Sequence, residues 1–338
     1  MNVLVNGIGN IGTTLLALLV KYKTELGIET IYGFKNTPRP WQDEDLDFLR
    51  ELDIIICSRQ SNEQMTFVDD IIDDVSYIFD CTSNGGGMRN KEWYVDLPNL
   101  IGASAQGSEK HFGLSFMSSI NNRALEGQKF AHIVSCNTHA IGSLLSTFAG
   151  DDLGNHESSD FVVVRRSEDI GNHERLVAAN VVARHLDDQV GTHHSIDVRD
   201  LYATINKSIK VTSSDVTTPS QLMHSVRFNI NVVAPLSKEQ IEEKIAANSF
   251  VSTTVKFDSN VIFERGRRIG FHGRIFSHAI LIANNMLITP HSIKGWAFIP
   301  QEGNTLLSTI HAFLIQSKHL ESNKIMHTIA HDLIHKKW

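Results

Sequence analysis

Residues 2–12, NVLVNGIGNIG, constrain the fold of this chain most strongly, because they join a short apolar strand to a glycine pattern. Gly7, Gly9 and Gly12 have the spacing GxGxxG, and TLLALLVKY continues with helical periodicity. In such a strand–turn–helix unit the first glycine makes the tight turn, the second lets the backbone approach a pyrophosphate, and the third lets helix and strand pack closely. The helix N-terminus attracts phosphate charge. The stretch therefore predicts a dinucleotide-binding domain; the alternative is a purely structural glycine turn.

The end of the second predicted strand, residues 28–34, bears on the choice of dinucleotide. NAD-selective sites usually carry an acidic residue there, which holds the ribose 2′-hydroxyl, whereas NADP sites carry a cation. This chain has Lys35 at that point, followed by the polar side chains of Asn36 and Thr37. We therefore predict that NADP binds well, with NAD as a second cofactor. The alternative for Lys35 is a solvated loop residue.

Later segments predict two domains, as expected for 338 residues. Two further apolar strands follow in the first half: one ends at Ser58, and the other runs into the loop DCTSNGGG. Ligands bind at the loops that follow parallel strands, so we expect Thr82 and Ser83 of this loop to lie near the cofactor. The second half has longer, alternating strands, such as DFVVVRR and VRFNINVVAP. We expect an α/β fold, with a Rossmann-type dinucleotide-binding domain (1–135 plus 303–338) and an α+β catalytic domain (136–302) with a mainly antiparallel sheet.

Composition narrows the class of protein. A net charge of −7 and a pI of about 6.2 argue against a general nucleic-acid or membrane-surface binder. Three widely spaced cysteines make neither a disulfide framework nor a CxxC pair, which favours a reducing compartment. No charged leader or long apolar segment precedes the first strand, so we expect a cytoplasmic protein that acts on small molecules.

Cys136, in VSCNTHA, follows a short apolar strand and begins a segment of helical periodicity that runs to Gly150. A thiol at a helix N-terminus feels the positive end of the helix dipole, which favours the nucleophilic thiolate. Beside a nicotinamide, a thiolate can oxidise an aldehyde through a thioester that water or phosphate intercepts. The alternative is a small buried residue that fills a gap. Among 17 histidines, the candidate bases are His139, His193, His194 and His224.

Several motifs, in order along most of the chain, resemble the archaeal-type (type II) glyceraldehyde-3-phosphate dehydrogenases. These motifs are VNGIGNIG, FKNTP, DCTSNGGG, GSEK, IVSCNT, VVVRR, THHSIDV, LMHSVRFNI and PQEG. The resemblance implies a homotetramer that oxidises glyceraldehyde 3-phosphate with inorganic phosphate, giving 1,3-bisphosphoglycerate and reduced NAD(P).

The resemblance also implies roles for individual residues. Cys136 is similar to the nucleophile and His224 to the base that activates it. Substrate contacts are implied for Ser135, Asn137, Thr138, His193 and His194. The residues implied as cofactor contacts, beyond those named above, are Asn10, Ile11, Gly107, Ser108, Arg166 and Gln301.

Departures from the family pattern keep two alternatives open. Arg165 and Arg166 are followed by SEDIGNHERLVAAN, a segment that lacks the family's usual residues. The identity of the substrate is therefore less well predicted than the type of reaction. The first alternative is an acyl-phosphate reductase or semialdehyde dehydrogenase with the same thioester chemistry, and the second is a nucleotide-binding protein with altered catalysis. We predict no metal site, because the histidine series 327, 331 and 335 lacks the glutamate of HExxH.

Overall fold

The structure, a computed structural model, describes residues 1–36, 43–60, 64–107, 109–167, 181–219 and 221–338, with only the backbone of Asp43 and Asp45. The chain divides into two compact units. The first comprises Met1–Phe116, Leu125–Ile133 and Ser308–Met326, and the second comprises Met117–Ala124, Val134–Leu307 and His327–Trp338. The domain boundaries given above, 1–135 plus 303–338 and 136–302, stay a prediction.

The first unit is built on an eight-stranded sheet with the order β4-β3-β2-β1-β5-β6-β8-β7, and its strand pairs in the described residues are all parallel. Its strands are β1 (Asn2–Asn6), β2 (Thr30–Phe34), β3 (Ile55–Ser58), β4 (Thr66–Phe67), β5 (Tyr77–Asp80), β6 (Gly102–Gln106), β7 (Leu114–Phe116) and β8 (Phe130–Ile133). Every residue of β5 is buried, as expected for a parallel strand covered on both faces. The helices α1 (Asn10–Lys21), α2 (Asp43–Glu51) and α3 (Gly86–Tyr94) belong to this unit.

The second unit contains a mixed sheet with the order β10-β11-β9-β12-β16-β14-β13, and β15 pairs with β16. Its strands are β9 (His156–Arg166), β10 (Val182–Arg184), β11 (Val211–Thr218), β12 (His224–Val232), β13 (Val251–Thr254), β14 (Ala279–Ile282), β15 (Leu287–Thr289) and β16 (Ser292–Ile299). Only the pairs β9–β11 and β13–β14 are parallel among its described strands. The predicted fold class, a Rossmann-type parallel sheet with a second, mainly antiparallel sheet, is confirmed.

Helix α5 (Cys136–Ala149) organises the core of the second unit, where it packs against β9, β12, β14 and β16. Its buried Phe148 stacks on Phe228 of β12 with 5.7 Å between ring centroids. Burying each such ring contributes about 1.5–3 kcal/mol. This packing fixes the helix axis and therefore the position of Cys136 at its first turn.

The remaining helices are short or moderate in length. They are α4 (Asn122–Leu125), α6 (His193–Ala203), α7 (Lys238–Ala247), α8 (Ser259–Ile269), α9 (Leu306–Gln316) and α10 (Ser322–Leu333). Within the described part of the chain, no helix has both the length and the apolar character that a membrane crossing requires.

Candidate active site

The glycine turn between β1 and α1 has the geometry that a dinucleotide requires. Gly7 has a φ of +102°, which favours glycine, and a Cβ added at Gly12 would lie 1.9 Å from the carbonyl oxygen of Gly7. A Cβ added at Gly9 would meet nothing within 4 Å. Gly9 precedes α1, and no side chain caps that helix. The turn is thus tightly packed at Gly7 and Gly12 and open at Gly9, which fits a pyrophosphate over the helix N-terminus.

The loop after β5 is fixed by a buried polar network. Asp80 accepts hydrogen bonds from the Thr82 N–H at 3.0 Å, the Thr82 hydroxyl at 2.5 Å and the Tyr94 hydroxyl at 2.6 Å. Burial and the neighbouring Asp80 carboxylate hold the pKa of Tyr94 well above its ordinary value, so the phenol stays a donor. Thr82 is therefore held by Asp80, beside the glycine turn, where the backbone of Cys81 and Thr82 lies against Gly7.

Other residues predicted to contact the cofactor lie near the same strand ends. Asn10 and Ile11 form the first turn of α1, and Lys35 follows β2, with its Nζ donating to the carbonyl of Ile8 at 3.4 Å. Ser83 lies in the loop between β5 and α3, and Asn36 is exposed. Two further predicted residues, Thr37 and Ser108, lie outside the described residues.

Gly107 follows the strand β6 in a left-handed conformation with a φ of +74°. Its carbonyl accepts a hydrogen bond from Nε2 of His132 at 2.6 Å. Glu109, two residues on, accepts the N–H groups of Gly85 at 2.5 Å and Met88 at 2.9 Å. A carboxylate of the chain itself thus satisfies the N-terminus of α3.

Cys136 is the first residue of α5 and is partly exposed. Ser135 caps the helix, because its hydroxyl accepts the backbone N–H of Thr138 at 3.3 Å. The predicted helix start is confirmed, so the thiol of Cys136 lies at the N-terminus of α5. The other thiols differ: burial raises the pKa of Cys57 to about 12, and burial with a neighbouring carboxylate raises the pKa of Cys81.

His224 begins the strand β12 and is only 6% exposed. In the sequence His224 precedes the alternating run VRFNINVVAP, which would leave its side chain freer, but the structure includes it in the strand. Pairing of β12 with β16 extends the strand to His224, on the buried face with Val226 and Phe228. Burial does not isolate it, because its Nδ1 donates a hydrogen bond to Oδ1 of Asn137 at 3.1 Å. With Nδ1 protonated, Nε2 carries the lone pair that a general base needs.

His193 and His194 open the helix α6, rather than lying in an exposed loop as their residue types alone suggest. Their ring centroids are 3.9 Å apart. His194 is buried, and neither of its ring nitrogens has a hydrogen-bond partner among the described residues. Burial, followed by the charges of His193, Arg165 and His224, holds the pKa of His194 well below its ordinary value. In the pairing of β9 with β12, Ser225 lies opposite Val164, which brings the strand of Arg165 next to the start of β12.

Asp215, on β11, joins this group of side chains. Its carboxylate lies 3.6 Å from Nη1 of Arg165, 3.8 Å from Nε of Arg184 and 4.0 Å from Nε2 of His194. Ligand atoms of His193, His194 and Asp215 lie within 4.8 Å of one another, a spacing that a metal ion could use. However, two guanidinium groups already face this single carboxylate. The excess of positive charge favours an anion such as phosphate over a cation.

The adjacent arginines Arg165 and Arg166 have different partners, as expected for neighbours on opposite faces of a strand. Arg165 pairs with Asp215, whereas the buried Arg166 donates from Nη2 to Glu302 at 2.8 Å. Arg166, predicted as a cofactor contact, therefore lies in an internal ion pair.

Gln301, also predicted as a cofactor contact, hydrogen-bonds the base strand. Its Oε1 accepts the backbone N–H of His224 at 3.2 Å. Both Gln301 and Arg166 thus lie beside the segment that carries His224, since Arg166 also bonds the carbonyl of Leu222 at 3.1 Å.

Sequence reasoning missed Asp215 and Asn304, which contact the residues of this site. A signal was present for Asp215, because Val211, Ser213 and Asp215 of VTSSDVTT are spaced as residues on one face of a strand are. A carboxylate on an inward face indicates a charge pair. Asn304, whose Nδ2 donates to the carbonyl of Cys136 at 3.0 Å, has no such local signal.

Comparisons with known proteins agree with the resemblance over part of the chain. The glyceraldehyde-3-phosphate dehydrogenase of Methanobacterium bryantii is 30% identical over 179 residues, which cover 52% of this chain and 50% of that protein. The enzymes of the same name from Methanobacterium formicicum and Methanothermobacter thermautotrophicus are each 28% identical, over 179 and 180 residues, with 50% of each covered. The chain thus matches about half the length of these curated relatives. No protein-family model matches it. The similarity relates the chain to enzymes named glyceraldehyde-3-phosphate dehydrogenase, and the type II subtype stays a prediction.

Proposed function

We propose that the chain is a phosphorylating glyceraldehyde-3-phosphate dehydrogenase of the archaeal type, which uses NADP or NAD and works through a cysteine thioester. One observation carries the proposal: Cys136 begins α5, and the next residue, Asn137, accepts the hydrogen bond that orients His224. A helix-terminal thiol beside an oriented imidazole is the arrangement that nucleophilic catalysis on an aldehyde requires. The similarity to the archaeal enzymes supports the same reaction.

The steps follow from the chemistry of these two side chains. His224 takes the proton of the Cys136 thiol, the thiolate adds to the aldehyde carbon, and the new oxyanion receives that proton, giving a thiohemiacetal. When bound, a nicotinamide dinucleotide supplies the acceptor for the hydride. His224 then takes the hydroxyl proton, so that the carbonyl re-forms as a thioester. Attack by a phosphate oxygen breaks the C–S bond, releases the acyl phosphate and returns the thiolate.

Phosphate recognition is assigned in this proposal to His193, His194 and Arg165. Burial keeps His194 neutral, so its ring can donate one hydrogen bond without adding charge, while the guanidinium supplies the positive charge. Ser135 and Thr138, at the start of α5, would contact the oxygen atoms next to the reacting carbon. A homotetramer in the cytoplasm belongs to the same proposal.

A spectrophotometric assay tests the function. Glyceraldehyde 3-phosphate is offered with NADP or NAD, with and without inorganic phosphate, to the wild type and to Cys136→Ser. We expect reduction of the dinucleotide that depends on phosphate and is lost in Cys136→Ser. Full turnover by the serine variant would refute the covalent mechanism. Activity with aspartate semialdehyde, and none with the triose phosphate, would establish the alternative acyl-phosphate reductase.

A further inference from the structure

We infer that the turn at residues 301–304, Gln-Glu-Gly-Asn, is a positioning element that fixes both members of the proposed dyad, Cys136 and His224. The inference rests on the proposed function, because it concerns how that dyad is held. Backbone hydrogen bonds from Gly303 and Asn304 to the carbonyl of Pro300, each 3.1 Å, define the turn. Its side chains reach in two directions, toward the strand that carries the base and toward the helix that carries the nucleophile.

Gln301 makes the first contact with the base strand. Its Oε1 accepts the backbone N–H of His224 at 3.2 Å, and its Nε2 donates to the carbonyl of Leu222 at 3.4 Å. The other side of Leu222 is held as well, since its N–H donates to Oδ1 of Asn260 at 3.0 Å. One side-chain amide therefore spans the residues on both sides of Met223 and sets the start of β12.

Glu302 makes the second contact with the base strand, through Arg166. Its carboxylate accepts from Nη2 of Arg166 at 2.8 Å and from Nη1 of Arg274 at 2.6 Å. The same Arg166 donates from Nη1 to the carbonyl of Leu222 at 3.1 Å. Arg166 is only 6% exposed and Glu302 9%, so water screens this pair weakly. The ion pair thus fixes a guanidinium that in turn holds the backbone two residues before His224.

Asn304 makes the contact with the nucleophile helix. Its Nδ2 donates to the carbonyl of Cys136 and to the carbonyl of His278, each at 3.0 Å, and the side chain is fully buried. Gly303 lets the turn approach this closely, since a Cβ there would lie 2.3 Å from the carbonyl oxygen of Ile275. The amide therefore ties the first turn of α5 to the segment that precedes β14.

Together these contacts mean that a single four-residue turn holds the backbone at both Cys136 and His224, and so adds to the helix packing and strand pairing that set their relative position. A displacement of about 1 Å between reacting groups can cost about a hundredfold in rate. Gln301, Glu302 and Asn304 are positioning residues in this account, because each acts through the backbone of a neighbour and needs no contact with the substrate.

Alkylation of Cys136 by iodoacetamide, followed over a range of pH, measures the dyad without any substrate. The adduct is located by peptide mass, and the raised pKa of Cys57, about 12, keeps that thiol unreactive. The variants are Asn304→Asp, which cannot donate to two carbonyls, and Gln301→Ala, which removes the amide from a half-buried site. The matched control is Asn121→Asp, another buried asparagine, whose Nδ2 donates to Thr204. His224→Ala supplies the reference for a lost base.

We expect Asn304→Asp and Gln301→Ala to slow alkylation near neutral pH by about tenfold, the factor of one pKa unit, while both stay folded. Asn121→Asp should stay within about twofold of the wild type. Wild-type rates and pH profiles in a folded Asn304→Asp or Gln301→Ala would overturn the positioning role alone. An unchanged profile in His224→Ala would instead overturn the proposed dyad, and the positioning role with it.

Discussion

Replacing Asn137 by aspartate tests the hydrogen bond that orients the proposed base. The change is nearly isosteric, and it places a negative charge where the amide oxygen lies 3.1 Å from Nδ1 of His224. Two opposite unit charges at that distance attract by about 5 kcal/mol at an effective dielectric constant of about 20. Desolvation of the new carboxylate offsets part of this attraction, because Asn137 is buried. The net effect of such a pair is a shift of about 1–3 pH units toward the protonated imidazole.

The acid limb of the kcat/KM profile should therefore move to higher pH by about 1–3 units in Asn137→Asp, because the base must be neutral to act. Activity should recover above the new limb, which a merely misfolded variant would not show. The measurement is kcat/KM for glyceraldehyde 3-phosphate across the titration range of imidazole and above it. As a control, adding Asn137→Asp to the His224→Gln variant should leave the pH profile of that variant unchanged. An unshifted acid limb in folded Asn137→Asp would refute the orientation of His224 by Asn137.

Further predictions concern the first unit. Gly9→Ala fills open space, so it should weaken dinucleotide binding measured by calorimetry and change the free energy of unfolding by only about 0.5 kcal/mol. Gly12→Ala clashes with Gly7 and should instead destabilise the fold itself. Lys35→Ala should raise KM for NADP by about tenfold relative to NAD in steady-state assays, and an equal effect on both would contradict a 2′-phosphate contact. Burial lowers the pKa of His311 to about 4. Between about pH 6.5 and pH 4 the unfolded chain therefore binds a proton that the folded chain does not, so the stability of the wild type falls as the pH drops through this range. In urea unfolding, the free energy of unfolding of His311→Gln should rise by about 3 kcal/mol relative to that of the wild type as the pH drops through this range. Parallel plots of unfolding free energy against pH for the two proteins would contradict this.

The parts of the fold that depend on neighbouring residues could be predicted from the sequence. The strand β1, the glycine turn and α1 follow from residues 2–22, because apolar periodicity and glycine spacing are local signals. The start of α5 at Cys136 followed in the same way. His224 precedes the alternating run VRFNINVVAP, and its place on a buried face depends on pairing with β16, a strand distant in sequence, which lengthens β12.

The contacts that organise the candidate site depend on residues far apart in sequence. Asn304 lies 168 residues from Cys136, and Glu302 lies 136 residues from Arg166. No periodicity within a short window connects such pairs, so their partners become visible only in the folded chain. A local signal was available for the histidine pair, because Thr192 precedes His193 as a helix N-cap residue would.

In the proposed mechanism the sulfur of Cys136 carries the acyl group, and mass measurement of the intact protein and of its peptides after a single turnover detects that intermediate. The protein is mixed with glyceraldehyde 3-phosphate and NADP in the absence of phosphate, and the reaction is quenched in acid. We expect a phosphoglyceroyl adduct on the Cys136 peptide that disappears when phosphate is added and never forms in Cys136→Ser. Dinucleotide reduction without that adduct, or with the adduct on another residue, would contradict it.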